Sequence, residues 1–182
     1  MKNGTLYPIK VFFILAVVVA FSSTTNAPFK MRELTAGEVE RIFEILRNLK
    51  STPYVWGGTS EYGIDCSGLV IFLLNKLGFK KFVYKNTLVF DVTADNLFKY
   101  NTKPLKDIKE LRKGDLIFFD MNEDGVYDHV AVFEQIDSQG VFWCWDAAEM
   151  PDGIHQNKVD RRPILSLSGR KYAFGRILVV VE

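Results

Sequence analysis

Charge of one sign, cysteine, histidine and long apolar runs are all scarce in this chain of 182 residues. Lys and Arg number 23 against 22 Asp and Glu, a formal net charge of +1. Without a basic excess there is no field to hold a polyanion, which excludes nucleic acid as the main partner. The cysteines are only two, Cys66 and Cys144, too few for the framework of a disulfide-built scaffold. With His129 and His155 they form no close Cys-x-x-Cys or His-x-x-x-His pair of the kind structural zinc sites use. No internal repeat, low-complexity tract or linker marks a second domain. Apolar mass, by contrast, is plentiful: 15 Phe, 7 Tyr and 3 Trp are too many for a solvated coil and predict one packed domain.

The longest apolar run is Val11 to Phe21, 11 residues, well short of the roughly 20 that span a bilayer as a helix. Lys2 and Lys10 precede it and small polar residues, Ser22 to Asn26, lead from it to Ala27. This is the pattern of a secretory signal peptide. Residues 1–27 are therefore expected to be removed on export, to a periplasm or outside the cell, with an earlier cut near Ala20 the alternative. No Cys lies there to carry a lipid, so no stable membrane anchor is expected after cleavage. Residues 28–182 form the expected mature domain, read as a monomer. In an exported chain a Cys66–Cys144 disulfide would be the default, but the surroundings of Cys66 point to chemistry instead.

Thr35-Ala36-Gly37-Glu38 has the form of a capping box, and Val39, Ile42, Phe43, Leu46 and Leu49 follow at helical spacing, which predicts an amphipathic helix over about 36–50. Ser51-Thr52-Pro53 ends it. A second helix is expected to begin close to Cys66, run through Leu69 to Leu74 and Leu77, and stop at Gly78; apolar on most sides, it must be buried. A short helix near Thr93 to Phe98 follows, and Lys106 to Lys113 reads as an exposed connector. The pattern then turns to β-branched and aromatic runs at Leu116–Phe119, His129–Ile136, Val141–Trp145 and Phe174–Val181, with Ser138-Gln139-Gly140 as a hairpin turn. Helices first and antiparallel strands afterwards indicate an α+β domain.

Pro53-Tyr54-Val55-Trp56-Gly57-Gly58, then Asp65-Cys66-Ser67-Gly68-Leu69-Val70, put a cysteine in the first turn of a buried helix. The free N–H groups and partial positive charge of a helix N-terminus favour thiolate, the nucleophilic form. His129, at the start of a strand that follows Gly114-Asp115-Leu116-Ile117-Phe118-Phe119 and its loop, can supply the base of a nucleophile and base pair for covalent acyl transfer.

Taken together and in order, Tyr-x-Trp-Gly-Gly, Asp-Cys-Ser-Gly-Leu-Val, Gly-Asp-Leu-x-Phe-Phe and His-Val-Ala-Val resemble the NlpC/P60 family of cell-wall cysteine peptidases. The likeness covers most of residues 53–133. It implies a reduced papain-like fold, with the catalytic Cys opening a helix packed on an antiparallel sheet, and an exported cysteine peptidase that cuts an amide bond in peptidoglycan stem peptides, by resemblance the bond between D-γ-glutamyl and a diamino acid. It also implies Cys66 as nucleophile, His129 as base, and Tyr54, Trp56, Asp65 and Ser67 about the substrate, with the backbone N–H of Cys66 in the oxyanion hole. No cofactor is required. An amidase or acyltransferase acting on another acyl substrate, or a wall-binding module whose site has lapsed, are the alternatives.

The family orients its histidine with a polar residue, usually His, on the next strand, and here the sequence departs. Val141–Trp145 leads into Asp146, 17 residues beyond His129, and this carboxylate is the candidate orienter. His155 is the rival, and a backbone group or another side chain stays open as well. A further feature is Asp120-Met121-Asn122-Glu123-Asp124-Gly125-Val126-Tyr127-Asp128, whose opening matches a calcium loop. Asp120, Asn122, Asp124 and Asp128 are its candidate ligands, but position twelve is Ala131 where a bidentate Glu belongs. An acidic connecting turn accounts for the segment about as well. Trp143 and Trp145 read as core aromatics, Cys144 as a small buried hydrophobe, and Arg161-Arg162 as a solvated patch that could meet a peptide carboxylate.

Overall fold

The computed structural model describes residues 29–149, 157–164, 167, 169 and 171–181. The expected signal segment and His155 lie outside the described residues. In chain order the elements are β1 (Met31–Glu33), α1 (Ala36–Leu49), β2 (Thr59–Ser60), β3 (Gly63–Ile64), α2 (Cys66–Lys76), β4 (Phe82–Tyr84), β5 (Thr87–Val89), α3 (Ala94–Asn101) and β6 (Thr102–Leu105), then, after a single 3₁₀ turn, β7 (Leu116–Asp120), β8 (His129–Ile136), β9 (Phe142–Ala148), β10 (Lys158–Ile164) and β11 (Lys171–Val180). The α+β expectation holds.

Helix α1 forms where the capping box places it. The Thr35 Oγ1 accepts from the Glu38 N–H at 3.3 Å, and the Glu38 carboxylate accepts from the Thr35 N–H at 2.7 Å. Arg32 closes on the same carboxylate at 2.7 Å, and this guanidinium holds the Glu38 carboxyl down at about 2. Ile42, Phe43, Leu46 and Leu49 bury the inner face. Helix α2 is buried through Leu69, Val70, Ile71, Phe72, Leu73 and Leu74, as its apolar sequence demands. It stops where Gly78 takes a φ of +97°, a conformation that glycine adopts without steric cost.

The main sheet runs β1-β11-β7-β8-β9-β10, with β6 also pairing on β11. β7 to β10 form an antiparallel meander. The turn from β8 to β9 is built by Asp137, whose Oδ1 accepts the N–H groups of Gln139 and Val141, each at 2.9 Å. One core cluster joins α1, α2 and the helix-facing side of the sheet, through Phe43, Leu46, Leu69, Phe118, Val130, Val132 and Trp145. A smaller one, with Ile117, Phe119, Ala131, Phe133, Cys144 and Phe174, covers the opposite side. The period of two in β7 and β8 divides these residues between the faces. Among the described residues no helix is long and apolar enough to cross a membrane.

Strand β10 was not expected from the sequence. Its residues, Lys-Val-Asp-Arg-Arg-Pro-Ile, show no apolar alternation because it lies at the end of the strand order. At such an edge, charge is soluble and Pro163 withholds no N–H from a neighbour. The Lys106 to Lys113 connector likewise contains a 3₁₀ turn at Ile108–Glu110, capped by Asp107 and Glu110.

Candidate active site

Cys66 is the first residue of α2, and Asp65 before it is the cap: its Oδ1 accepts from the Gly68 N–H at 2.6 Å. The same carboxylate accepts from the Ser67 hydroxyl at 3.2 Å and, through Oδ2, from the Gly57 N–H at 2.8 Å. Asp65 thus locks the Trp56-Gly57-Gly58 turn to the helix start. The fit is close, because a Cβ on Gly68 would lie 2.0 Å from the Gly58 carbonyl oxygen. The Cys66 residue is 8% exposed, and its Sγ lies 3.7 Å from the backbone oxygen of Asp128.

His129 opens β8 directly after Asp128 and is paired with Phe119 of β7, whose ring lies 6.0 Å from the imidazole. Its Nε2 is 2.9 Å from Asp146 Oδ2. With that nitrogen engaged, Nδ1 is the one left for a nucleophile, and Cys66 is close enough to act on the charge of the same ring. Burial alone would push the imidazole down, but the Asp146 carboxylate and the Cys66 sulfur outweigh it and hold the ring up at about 10. The register explains how a residue 17 positions away reaches the ring. Val132 lies opposite Trp145, so Asp146 shares a face with His129 and sits diagonally across the strand pair from it, within reach of a side-chain contact. The hairpin is long, and the separation in sequence follows from its length.

Tyr54, Trp56, Asp65 and Ser67 line one groove with Cys66, a depression of about 720 Å³ closed on its other side by the start of α3 and by Tyr127 and Asp128. Burial first, then the charges of Cys66, Asp65 and Glu149, push the Tyr54 phenol up to about 12, so it remains a hydrogen-bond donor. Trp56 is 85% exposed and stands at the rim. A second depression, of about 310 Å³ beside Glu33, Val39 and Arg176, does not contain the thiol.

The loop after β7 closes on itself. Asp120 accepts the N–H groups of Asp124 at 3.1 Å and Gly125 at 2.9 Å, Asn122 Oδ1 accepts that of Asp124 at 3.1 Å, Asp124 that of Val126 at 2.8 Å, and Asp128 that of Met121 at 3.1 Å. Among the described residues no group of three or more His, Cys, Asp or Glu is gathered to hold a metal ion. Both cysteines are free. Cys144 is buried in the smaller core cluster, and burial pushes its thiol strongly up. Trp145 is core, while Trp143 is half-buried, stacked under Arg161 at 4.0 Å and donating to Asp137 at 2.8 Å.

The solvated-patch reading of Arg161-Arg162 is corrected. Arg161 pairs with Glu134. Arg162 pairs with the Asp146 carboxylate, and donates to the Asp146 carbonyl at 3.3 Å and the Lys158 carbonyl at 2.9 Å. Nothing short of the strand pairing β9–β10 could have revealed that contact, since 16 residues separate the partners.

A cysteine that opens a buried helix, facing a histidine at the start of a sheet strand and a carboxylate on the next, defines a reduced papain-like fold. Residues 51–163 match the NlpC/P60 family, and the chain belongs to that family. Among curated proteins it is 37% identical over 82 residues to the "Probable endopeptidase YafL" of Escherichia coli, covering 44% of this chain and 30% of that protein. It is 34% identical over 82 residues to a "Gamma-D-glutamyl-L-lysine dipeptidyl-peptidase" of Bacillus cereus, covering 44% and 21%. The matched segments thus span about a third or less of these relatives. Among solved structures, an NlpC/P60 family protein from Bacillus cereus superposes with a TM-score of 0.57 at 20% identity, over 82% of this chain and 42% of that one. The NlpC/P60 domain of the peptidoglycan hydrolase SagA gives 0.51 at 19% identity, over 74% and 96%.

Proposed function

We propose that this protein is an exported cysteine peptidase that hydrolyses an amide bond in peptidoglycan stem peptides, the bond between D-γ-glutamyl and a diamino acid. The observation that carries the reading is the Cys66–His129–Asp146 set: the Cys66 thiol lines the groove, its charge and that of Asp146 both act on the His129 imidazole, and that ring's Nε2 lies 2.9 Å from the Asp146 carboxylate. The Cys66 thiolate attacks the carbonyl carbon. The oxyanion that forms meets N–H groups at the start of α2, which the helix leaves unpaired. Imidazolium His129 protonates the leaving amine as the C–N bond breaks, leaving a thioester. His129 then takes a proton from water, which attacks the thioester and releases the acid and the thiol. Asp146 keeps the ring aligned through both halves.

The groove charge supports a diamino acid. Its described lining includes Asp65, Asp91, Asp95 and Asp128 and neither Lys nor Arg. Asp65 is spent on the α2 cap and Asp95 pairs with Lys99 at 2.6 Å, which leaves Asp91 and Asp128 to meet a free amine beside the scissile bond. The reaction draws on side chains alone and requires no cofactor. Calcium at residues 120–128, if bound, would steady the loop before His129 and take no part in the chemistry. The protein is proposed to act as a monomer.

Purified mature protein incubated with defined muropeptides, beside Cys66→Ala, tests the reading by mass analysis of the products. Cleavage at the γ-glutamyl bond by the wild type alone supports it. Cleavage of neither the muropeptides nor any acyl substrate would point to the lapsed binding module, and turnover of a different acyl substrate to the amidase or acyltransferase alternative.

A further inference from the structure

His129 is oriented by Asp146, but a carboxylate on a strand near the sheet edge has its own freedom to rotate. Arg162 removes that freedom. Asp146 Oδ2 faces His129 Nε2 at 2.9 Å, and its other oxygen, Oδ1, meets Arg162 Nη1. With one oxygen on the imidazole and the other on the guanidinium, the plane of the carboxylate is set. The guanidinium is itself anchored at a third point, because its Nη2 donates to the Lys158 carbonyl at 2.9 Å. Lys158 in turn bridges Pro53, and the Tyr54 N–H donates to the Asn157 carbonyl at 2.9 Å. One side chain therefore ties the orienting carboxylate to the segment that carries the groove's tyrosine.

We propose that Arg162 is a positioning residue of this site: it acts through Asp146 to hold the His129 ring in line with Cys66. The proposal rests on the reading of Cys66, His129 and Asp146 as the catalytic set. The Arg162 guanidinium is spent on Asp146 and on the Lys158 carbonyl, so its loss is expected to act on turnover rather than on binding. Arginine suits the task better than lysine, because its planar fork can meet a carboxylate and a carbonyl at once while lysine presents one nitrogen.

The test compares wild type, Arg162→Met and Arg162→Lys by muropeptide kinetics and by NMR of the resting protein. NMR follows the downfield proton on His129 Nε2, assigned by its loss in Asp146→Ala. Arg162→Met is expected to lower kcat about tenfold to a hundredfold, the scale of a small misplacement of a reacting group, with KM unchanged and the downfield proton broadened or lost. Arg162→Lys is expected to recover part of both. Should Arg162→Met fail to fold, Arg162→Lys carries the test by the same two readouts. Wild-type kcat with an unchanged resonance overturns the proposal, and so does a fall in kcat with the resonance intact, since the effect would not then pass through Asp146 and His129. If the wild type cleaves no muropeptide, the functional reading fails, while the resonance still reports whether Arg162 holds the Asp146–His129 bond.

Discussion

The imidazole of His129 answers to two neighbours that both favour its charged form, the Asp146 carboxylate on Nε2 and the Cys66 sulfur nearby. Burial opposes them and loses, so the ring keeps its proton up to about 10. For a histidine raised in this way, the associated stability is fully present below the unfolded value of about 6.5 and is lost as pH rises through about 10. Activity is expected to follow the same alkaline limb, and a pH–rate profile of the wild type checks it. Asp146→Ala removes a raising influence, so its limb should move to lower pH, while kcat falls about a hundredfold to ten-thousandfold. An unchanged limb in that variant would mean that another group orients the ring. Cys66, His129 and the motif residues Tyr54, Trp56, Asp65 and Ser67 were readable in the sequence because each sits in a short pattern tied to a local element. The sequence points to Asp146 only through strand order, and it makes Arg162 read as solvent-facing because the partner of that guanidinium lies on another strand.

At the scale of elements, α2 matters most, because its first turn aims the thiol. Gly68 lies in that turn with its Cα against the Gly58 backbone, where an added Cβ would come within 2.0 Å of a carbonyl oxygen. Helix propensity alone would make Gly68→Ala stabilising by about 1 kcal/mol. The clash is with backbone, which cannot swing aside, so the variant is expected to be destabilised by about 1–3 kcal/mol, read as a lowered Tm, and to lose activity as the helix start shifts from His129. A Tm at or above the wild-type value would show that the turn at Trp56-Gly57-Gly58 yields more easily than its hydrogen bonds to Asp65 indicate. The capping box of α1, the glycine stop of α2 and the turn at Ser138-Gln139-Gly140 were legible because each depends on residues a few positions apart. β10 was not, since an edge strand carries no apolar period to read.

Over the whole molecule, the two thiols occupy opposite sides of one sheet. Cys66 belongs to the helix-facing core cluster and opens onto the groove, whereas Cys144 lies in the cluster beyond the strands. Their separation predicts that folded protein takes up one equivalent of iodoacetamide, at Cys66, and that Cys144 reacts only after denaturation; peptide mapping by mass distinguishes the two. Labelling of Cys144 in the folded state would contradict its burial. The scarcity of cysteine in the sequence could not by itself separate a disulfide from a nucleophile and a buried hydrophobe. Local chemistry in the sequence determined the helices with their caps, the strands with apolar alternation, the cysteine at a helix start and the histidine at a strand start, because capping, periodicity and turn geometry act over a few residues. Only the tertiary structure decided which carboxylate meets His129, that Arg162 grips that carboxylate, and that the acidic loop spends its oxygens on its own backbone. Those contacts depend on register and on how strands far apart in the chain are brought side by side, and short-range patterns carry no record of that.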